Sequence, residues 1–146
     1  DAARWLLSRG IDQWSWVEKP VGVRYLRERL EKAEVYLAFV GDEPVATVSL
    51  QWEDAEIWGD RGSDGVAGYV HGLAVMRSAS GGGMGKKLID FATGVILAQG
   101  RKFVRLDCMA ANTALRSYYK QLGFAEVGQM HLDKTGFHSA LFEKAI

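Results

Sequence analysis

Tyr69-Val70-His71-Gly72-Leu73-Ala74-Val75, then Ser80-Gly81-Gly82-Gly83-Met84-Gly85, then Lys86-Lys87-Leu88 decides how this chain is read. The first stretch is rich in β-formers and reads as a strand. The second is a glycine turn. The third opens a helix with Leu88, Ala92, Val95, Ile96 and Gln99 on one face, stopped by Gly100. Strand, glycine turn and helix in that order build an anion site. Glycines let backbone N–H groups turn inward without Cβ clashes, and the helix N-terminus adds a positive dipole end. Lys86 and Lys87 suit that dipole poorly, and a bound anion rationalises them. The other reading is a glycine loop with no ligand, and glycines alone do not separate the two.

Two nucleotide motifs are excluded by counting. A Walker loop ending at Gly85 needs glycine where Ser80 stands and Ser or Thr where Lys87 stands. A dinucleotide fingerprint begun at Gly81 ends on Lys86, and one begun at Gly83 ends on Leu88.

Working outward, the residues from Asp1 to Arg9 form a helix ended by Gly10. Ile11 to Lys19 is a packed connection holding Trp14 and Trp16. Pro20 opens a helix with Val21, Tyr25, Leu26, Leu30 and Ala33 on one face. Glu34 to Val40 and Val45 to Trp52 form a hairpin around Gly41-Asp42-Glu43-Pro44. Glu53 to Gly65 reads as a loop. Phe103 to Met109 is a strand. Asn112 caps a helix that Gly123 closes. Phe124 to Met130 and Phe137 to Glu143 are the last strands, around Asp133-Lys134-Thr135-Gly136. Such mixed order implies an α/β or α+β sheet covered by helices.

The 146 residues fit one domain. Apolar residues at 48% and charged residues at 25% describe a globular chain and exclude a disordered one. Eighteen basic and eighteen acidic residues leave no basic excess, which weighs against a nucleic-acid partner. No apolar run is long enough to span a membrane. The lone Cys108 excludes an internal disulfide and a cysteine-rich zinc site, and fits a reducing, cytoplasmic setting. No residues have metal-ligand spacing, so no metal is expected.

Leu73-Ala74-Val75, Gly83-x-Gly85 and Asn112-x-Ala114-x-x-x-Tyr118-Tyr119-x-x-Leu122-Gly123-Phe124 resemble the GCN5-related N-acetyltransferase (GNAT) superfamily. The resemblance implies a mixed, mostly antiparallel central sheet with a splayed strand pair and helices on both faces. It implies that residues 1–146 are a single acetyl-CoA-binding domain, with the family's first strand expected before residue 1. It further implies transfer of the acetyl group of acetyl-CoA to a primary amine by direct attack in a ternary complex. In the family, the glycine loop (here Gly81, Gly82, Gly83, Met84, Gly85 and Lys86) holds the coenzyme pyrophosphate. Leu73, Ala74 and Val75 pair with the pantetheine arm, and the Leu73 N–H serves the acetyl carbonyl. Asn112 bonds the coenzyme or simply caps its helix. Ser80 stands where the family has Gln or Arg, which removes one coenzyme contact; Arg77, Lys86 or Lys87 can compensate.

Tyr119 occupies the place of the family's general acid, and a phenol is protonated at neutral pH. Its alternative is a core aromatic. His71 is the candidate base. By period two it shares a strand face with Tyr69, Leu73 and Val75. Its stretch is similar to the strand of arylalkylamine N-acetyltransferases in which a histidine belongs to the proton-removal path. A half-buried structural histidine, or a water chain to Asp107 or to a loop carboxylate, stays open. Cys108 reads as a small strand residue, and His131 and His138 as ordinary strand residues.

Charge is uneven. Gln51 to Val70 holds five acids and one base, whereas Met76 to Arg105 holds six bases and one acid. The basic segment suits an anionic coenzyme. The acidic loop, flanked by Trp52 and Trp58, suits a cationic amine, with Asp107 also on the acceptor side. Its alternative is solvated charge over packed tryptophans. The expected partner is a small-molecule amine, with the protein a monomer or homodimer. Two rivals remain: a catalytically silent acyl-CoA-binding module of the same fold, and a protein or peptide amine acetyltransferase.

Overall fold

The computed structural model describes residues 2–14, 19–132 and 137–146. The elements are α1 (Ala2–Ser8), α2 (Pro20–Leu30), β1 (Glu34–Val40), β2 (Glu43–Gln51), α3 (Ala55–Trp58), β3 (Ala67–Val75), α4 (Met84–Ala98), β4 (Phe103–Met109), α5 (Thr113–Gln121), β5 (Ala125–Leu132) and β6 (Phe137–Ala145). Short 3-10 turns occupy Gly59–Ser63 and Arg77–Ala79. The strands hydrogen-bond in the order β1-β2-β3-β4-β6-β5. β3 and β4 are parallel, whereas β4/β6 and β5/β6 are antiparallel. This is the mixed α/β sheet that the element order implies.

The chain forms two compact units, Asp1–Ser49 with Gly72–Leu88, and Leu50–His71 with Ile89–Ile146. In the first, β2 buries Val45, Ala46 and Val48, whereas β1 leaves Val35, Leu37 and Phe39 exposed. Gly41 turns the β1–β2 hairpin at a φ of 59°. The turn is tighter than expected, since Glu43 and Pro44 already belong to β2. The α2 face departs from expectation. Leu26 and Leu30 are exposed, and Ala33 lies beyond the helix. The side chains of Val21 and Tyr25, and Trp16, lie outside the described residues, as does the turn Asp133–Gly136.

The second unit holds the main core. β4 buries Val104, Leu106 and Cys108, and β6 buries Ala140 and Phe142. Helix α4 contributes Ile89, Ala92 and Ile96. Gln99, expected on that face, is exposed because α4 ends at Ala98 and Gly100 (φ 73°) turns the chain away. Gly68 lets the helix approach β3, since a Cβ there would sit 2.5 Å from Ile96 Cγ1. The β3/β4 ladder has its last pair at Val70↔Leu106, although β3 runs on to Val75 and β4 to Met109. Gly72, at a φ of 57°, interrupts the pleat immediately after His71. The period-two face expected to join His71 to Leu73 and Val75 is therefore broken at Gly72.

A cation is buried in this core. Arg105 is 2% exposed. Its Nε donates to Glu143 Oε2 at 2.7 Å. Its Nη1 donates to Asp64 Oδ2 at 2.8 Å, to the Tyr69 hydroxyl at 2.9 Å and to the Arg61 carbonyl at 2.5 Å. The guanidinium packs 5.2 Å from the Trp58 ring centroid. Their neighbours in sequence group Arg105 with the coenzyme's basic segment and Asp64 with the acceptor's acidic loop. The structure corrects both, because each neutralises the other.

Burial pushes the Asp64 carboxyl up, but the Val66 N–H and the Arg105 and Arg61 cations outweigh it and hold the group below its ordinary value. A depressed folded pKa gives stability that is full above the unfolded value and lost as pH falls through the folded one. Asp64→Asn should therefore flatten the loss of stability below about pH 4, measured by urea unfolding across pH. Gly68→Ala should cost about 1–3 kcal/mol through overpacking, read as a lower Tm, and that cost should shrink in an Ile96→Ala background, which removes the clashing carbons.

Candidate active site

In the first unit, the Arg77–Ala79 turn leads into the glycine run. The Ser80 hydroxyl donates to the Arg77 carbonyl at 2.8 Å, so this side chain is used locally. Gly81 and Gly83 have φ of 84° and 74°, conformations that L side chains rarely adopt. A Cβ at Gly81, Gly82 or Gly83 would meet nothing within 4 Å, so the loop is open on its outer side. The first helical bond runs from Lys87 N to Gly83 O at 3.0 Å. The amides of Met84, Gly85 and Lys86 thus lie in the turn that an α-helix leaves outside its own ladder. This is an anion cradle built of backbone donors. Arg77 stacks over Trp5 at 4.2 Å. Leu73, Ala74 and Val75 are half-buried. Ala74 and Val75 wall an apolar cleft of about 210 Å³ with Val45, Ala46 and Thr47 of β2 and Leu37 of β1.

In the second unit, His71 lies between two carboxylates. Its Nε2 is 3.1 Å from Asp54 Oδ2, and its Nδ1 is 3.9 Å from Asp107 Oδ1. The three side chains are 9%, 7% and 13% exposed. The Ser139 hydroxyl donates to Asp107 Oδ2 at 2.5 Å. Ser139 is not singled out by the sequence, and Asp54 enters there only as one carboxylate of the acidic loop. Ser139 pairs with Met109 across β4/β6, which makes it a diagonal neighbour of Asp107. No local signal announces such a contact. Asp54 carried a signal, an Asp in N-cap position, which the loop reading of Glu53 to Gly65 passed over. That segment instead folds into α3 and a 3-10 turn.

Tyr119 is 5% exposed, packed among Phe142 (5.6 Å between ring centroids), Tyr118 (5.7 Å) and Phe124 (6.0 Å). Burial first, then Cys108, Asp107 and Tyr118, raises its phenol above the ordinary value. The proton therefore stays on Tyr119 across the neutral range. Asn112 is buried and its Oδ1 accepts from Leu115 N at 3.1 Å, which caps α5. Gly123 (φ 86°) follows the other end.

The tryptophans of the acidic loop face protein cations. Trp58 is 5% exposed and lies edge-on to Tyr69, with Arg61 and Arg105 over its ring at 5.4 and 5.2 Å. Arg101 stands 5.8 Å over Trp52. His131 and His138 are a stacked cross-strand pair, centroids 3.7 Å apart. Among the described residues, no three His, Cys, Asp or Glu side chains are grouped to hold a metal ion, and no helix is long and apolar enough to cross a membrane.

An open glycine turn at a helix N-terminus offers backbone donors to an anionic carrier. The comparisons with known proteins agree. The acetyltransferase (GNAT) family model matches residues 3–124. An uncharacterised N-acetyltransferase of Bacillus subtilis, YesJ, is 35% identical over 150 residues, covering 99% of this chain and 79% of that protein. A GNAT-family acetyltransferase from Listeria monocytogenes superposes with a TM-score of 0.76 at 30% identity, covering 100% of this chain and 84% of that one. A GNAT acetyltransferase of Elizabethkingia anophelis with acetyl-CoA bound shares the fold at a TM-score of 0.71 and 13% identity, over 89% of this chain and 87% of that one. The chain belongs to the GNAT acetyltransferase family, and is thus an acetyl-CoA-dependent acyltransferase.

Cys108 takes no visible part. It is 2% exposed, and burial, with Asp107 adding, pushes its thiol up to about 12. The native protein should resist alkylation by iodoacetamide at pH 8 and label only on unfolding, as mass spectrometry would read.

Proposed function

We propose that this protein transfers the acetyl group of acetyl-CoA to a primary amine of a small molecule, by direct attack in a ternary complex. The observation that carries the proposal is His71, a buried imidazole held beside Asp54 and Asp107, with the protonated phenol of Tyr119 in the same unit. Acetylating an amine needs an acceptor for the amine proton and a donor for the departing thiolate, and these two side chains supply both.

The loop fits the donor substrate. Two left-handed glycines lead into a 15-residue helix, and a Cβ at Gly81, Gly82 or Gly83 would meet nothing within 4 Å. Gly81, Gly82, Gly83, Met84, Gly85 and Lys86 would hold the pyrophosphate through backbone N–H groups. Leu73, Ala74 and Val75 would pair with the pantetheine arm, and the Leu73 N–H would donate to the acetyl oxygen. Acetyl-CoA, bound in the Elizabethkingia relative, brings an activated thioester. His71 takes the amine proton, and Tyr119 gives its proton to the sulfur. Asn112, whose side-chain oxygen caps α5, reaches the coenzyme through its remaining donors. Trp52 and Asp107 would stand on the acceptor side, where Asp107 favours a cationic acceptor, whereas Trp58, buried beneath Arg61 and Arg105, is a core residue instead of the substrate contact expected from sequence.

Thiol release from acetyl-CoA across an amine panel, with mass spectrometry of the product, tests the reading. Coenzyme binding without turnover on any amine would instead indicate a silent binding module. Tyr119→Phe should lower kcat about a hundredfold or more with little change in KM for acetyl-CoA. A kcat near that of the wild type would remove Tyr119 from the mechanism.

A further inference from the structure

The acidic loop contains a side chain that does something other than what its position predicts. Asp54 stands at the N-cap of α3, where an aspartate ordinarily accepts from the backbone two or three residues on. It makes no such bond. Its carboxylate is 7% exposed and brings Oδ2 to 3.1 Å from His71 Nε2. Oδ2 is buried, without a well-aligned hydrogen bond from any described residue. A buried carboxylate oxygen in that state is costly, and the nearby imidazole N–H is its means of relief.

The backbone beneath it is built for this placement. Asp54 N donates to Gly62 O at 2.8 Å, and Asp54 O accepts from Trp58 N at 3.0 Å. A Cβ at position 62 would overlap the Asp54 carbonyl, so only glycine fits. The other carboxylate is placed differently. At 3.9 Å, Asp107 Oδ1 is beyond hydrogen-bond reach of Nδ1, and its Oδ2 is held by Ser139.

We propose that Asp54 is a positioning residue for His71, an inference that rests on the reading of His71 as the proton acceptor. Asp54 accepts the Nε2–H, selects the ring tautomer with its lone pair on Nδ1, and balances the imidazolium formed during transfer. In that step the amine N–H bond breaks and an Nδ1–H bond forms. The nitrogen pair so released forms the N–C bond at the acetyl carbon, the C–S bond breaks to a thiolate that takes the Tyr119 proton, and the nitrogen's second proton restores the phenol. Asp54 exchanges no proton. Oδ2 and Nε2 stand 3.1 Å apart without the alignment of a hydrogen bond, a geometry that catalytic pairs commonly show before substrate binds and tightens them.

The test combines a spectrum with kinetics. In ¹⁵N-labelled wild-type protein, at a pH where the ring is neutral, His71 should show the Nε2–H tautomer. Asp54→Asn should redistribute it toward Nδ1–H. The same variant should lose about a hundredfold or more in kcat, with KM for acetyl-CoA little changed. Combined with His71→Gln, it should cost nothing further, because both act through one imidazole. An Nδ1–H tautomer in the wild type would overturn the proposal, and that reading needs no variant to fold. So would wild-type kcat in Asp54→Asn beside a crippled His71→Gln. Losses that add in the double variant, with a raised amine KM, would make Asp54 a contact of the acceptor and overturn it too. Wild-type kcat in His71→Gln would instead sink the underlying reading, which separates the two failures.

Discussion

A guanidinium inside a strand core cannot be left without partners, and the second unit is arranged around that constraint. Arg105 lies between Val104 and Leu106, all three buried. Breaking such a pair by removing one partner ordinarily costs about 3–5 kcal/mol, because the survivor stays charged and desolvated. Here Glu143 comes from β6, Tyr69 from β3, and Asp64 and the Arg61 carbonyl from the segment that follows α3. The pairing therefore fixes more than its own neighbours. It anchors the 59–64 segment, whose Gly62 carbonyl accepts from Asp54 N.

From that anchor the placement of the Asp54 carboxylate follows by short steps. Asp54, held by its backbone, is free to turn its carboxylate away from the cap and toward His71. Trp58, four residues on, packs against Tyr69 and beneath Arg105 and closes the segment over the core. One piece of chain that reads as a solvated acidic loop is thus a structural device. Part of it neutralises a buried arginine, and part of it presents a carboxylate to an imidazole. Its apparent suitability for a cationic acceptor is reduced to the acids that neither task uses.

The elements that were legible in the sequence are those set by local rules. The order of strand, glycine turn and helix from Tyr69 to Gly100 stands as read, as do the Asn112 cap and the closure at Gly123, whereas the strand face breaks at Gly72 and Gln99 leaves the helix face. Tyr119 and His71 are singled out by resemblance alone; in the structure their side chains have little exposure. Ser139 was not legible because it meets Asp107 across a pairing 32 residues apart in sequence. Arg105 was misread because its charge was counted with its sequence neighbours, whereas its partner Glu143 lies 38 residues away.

The sequence by itself determined where the backbone turns, where helices begin and end, and the family to which those turns belong. Glycine's access to positive φ, the capping oxygen and the hydrophobic period all act within a few residues, so they can be read in order along the chain. Only the tertiary structure decided which charges face each other. Whether an aspartate is a helix cap, the counter-ion of an arginine or the support of a histidine depends on which strands pair and how deeply the group is buried. Both are set by contacts distant in sequence, and the low-dielectric interior makes the choice of partner energetically decisive.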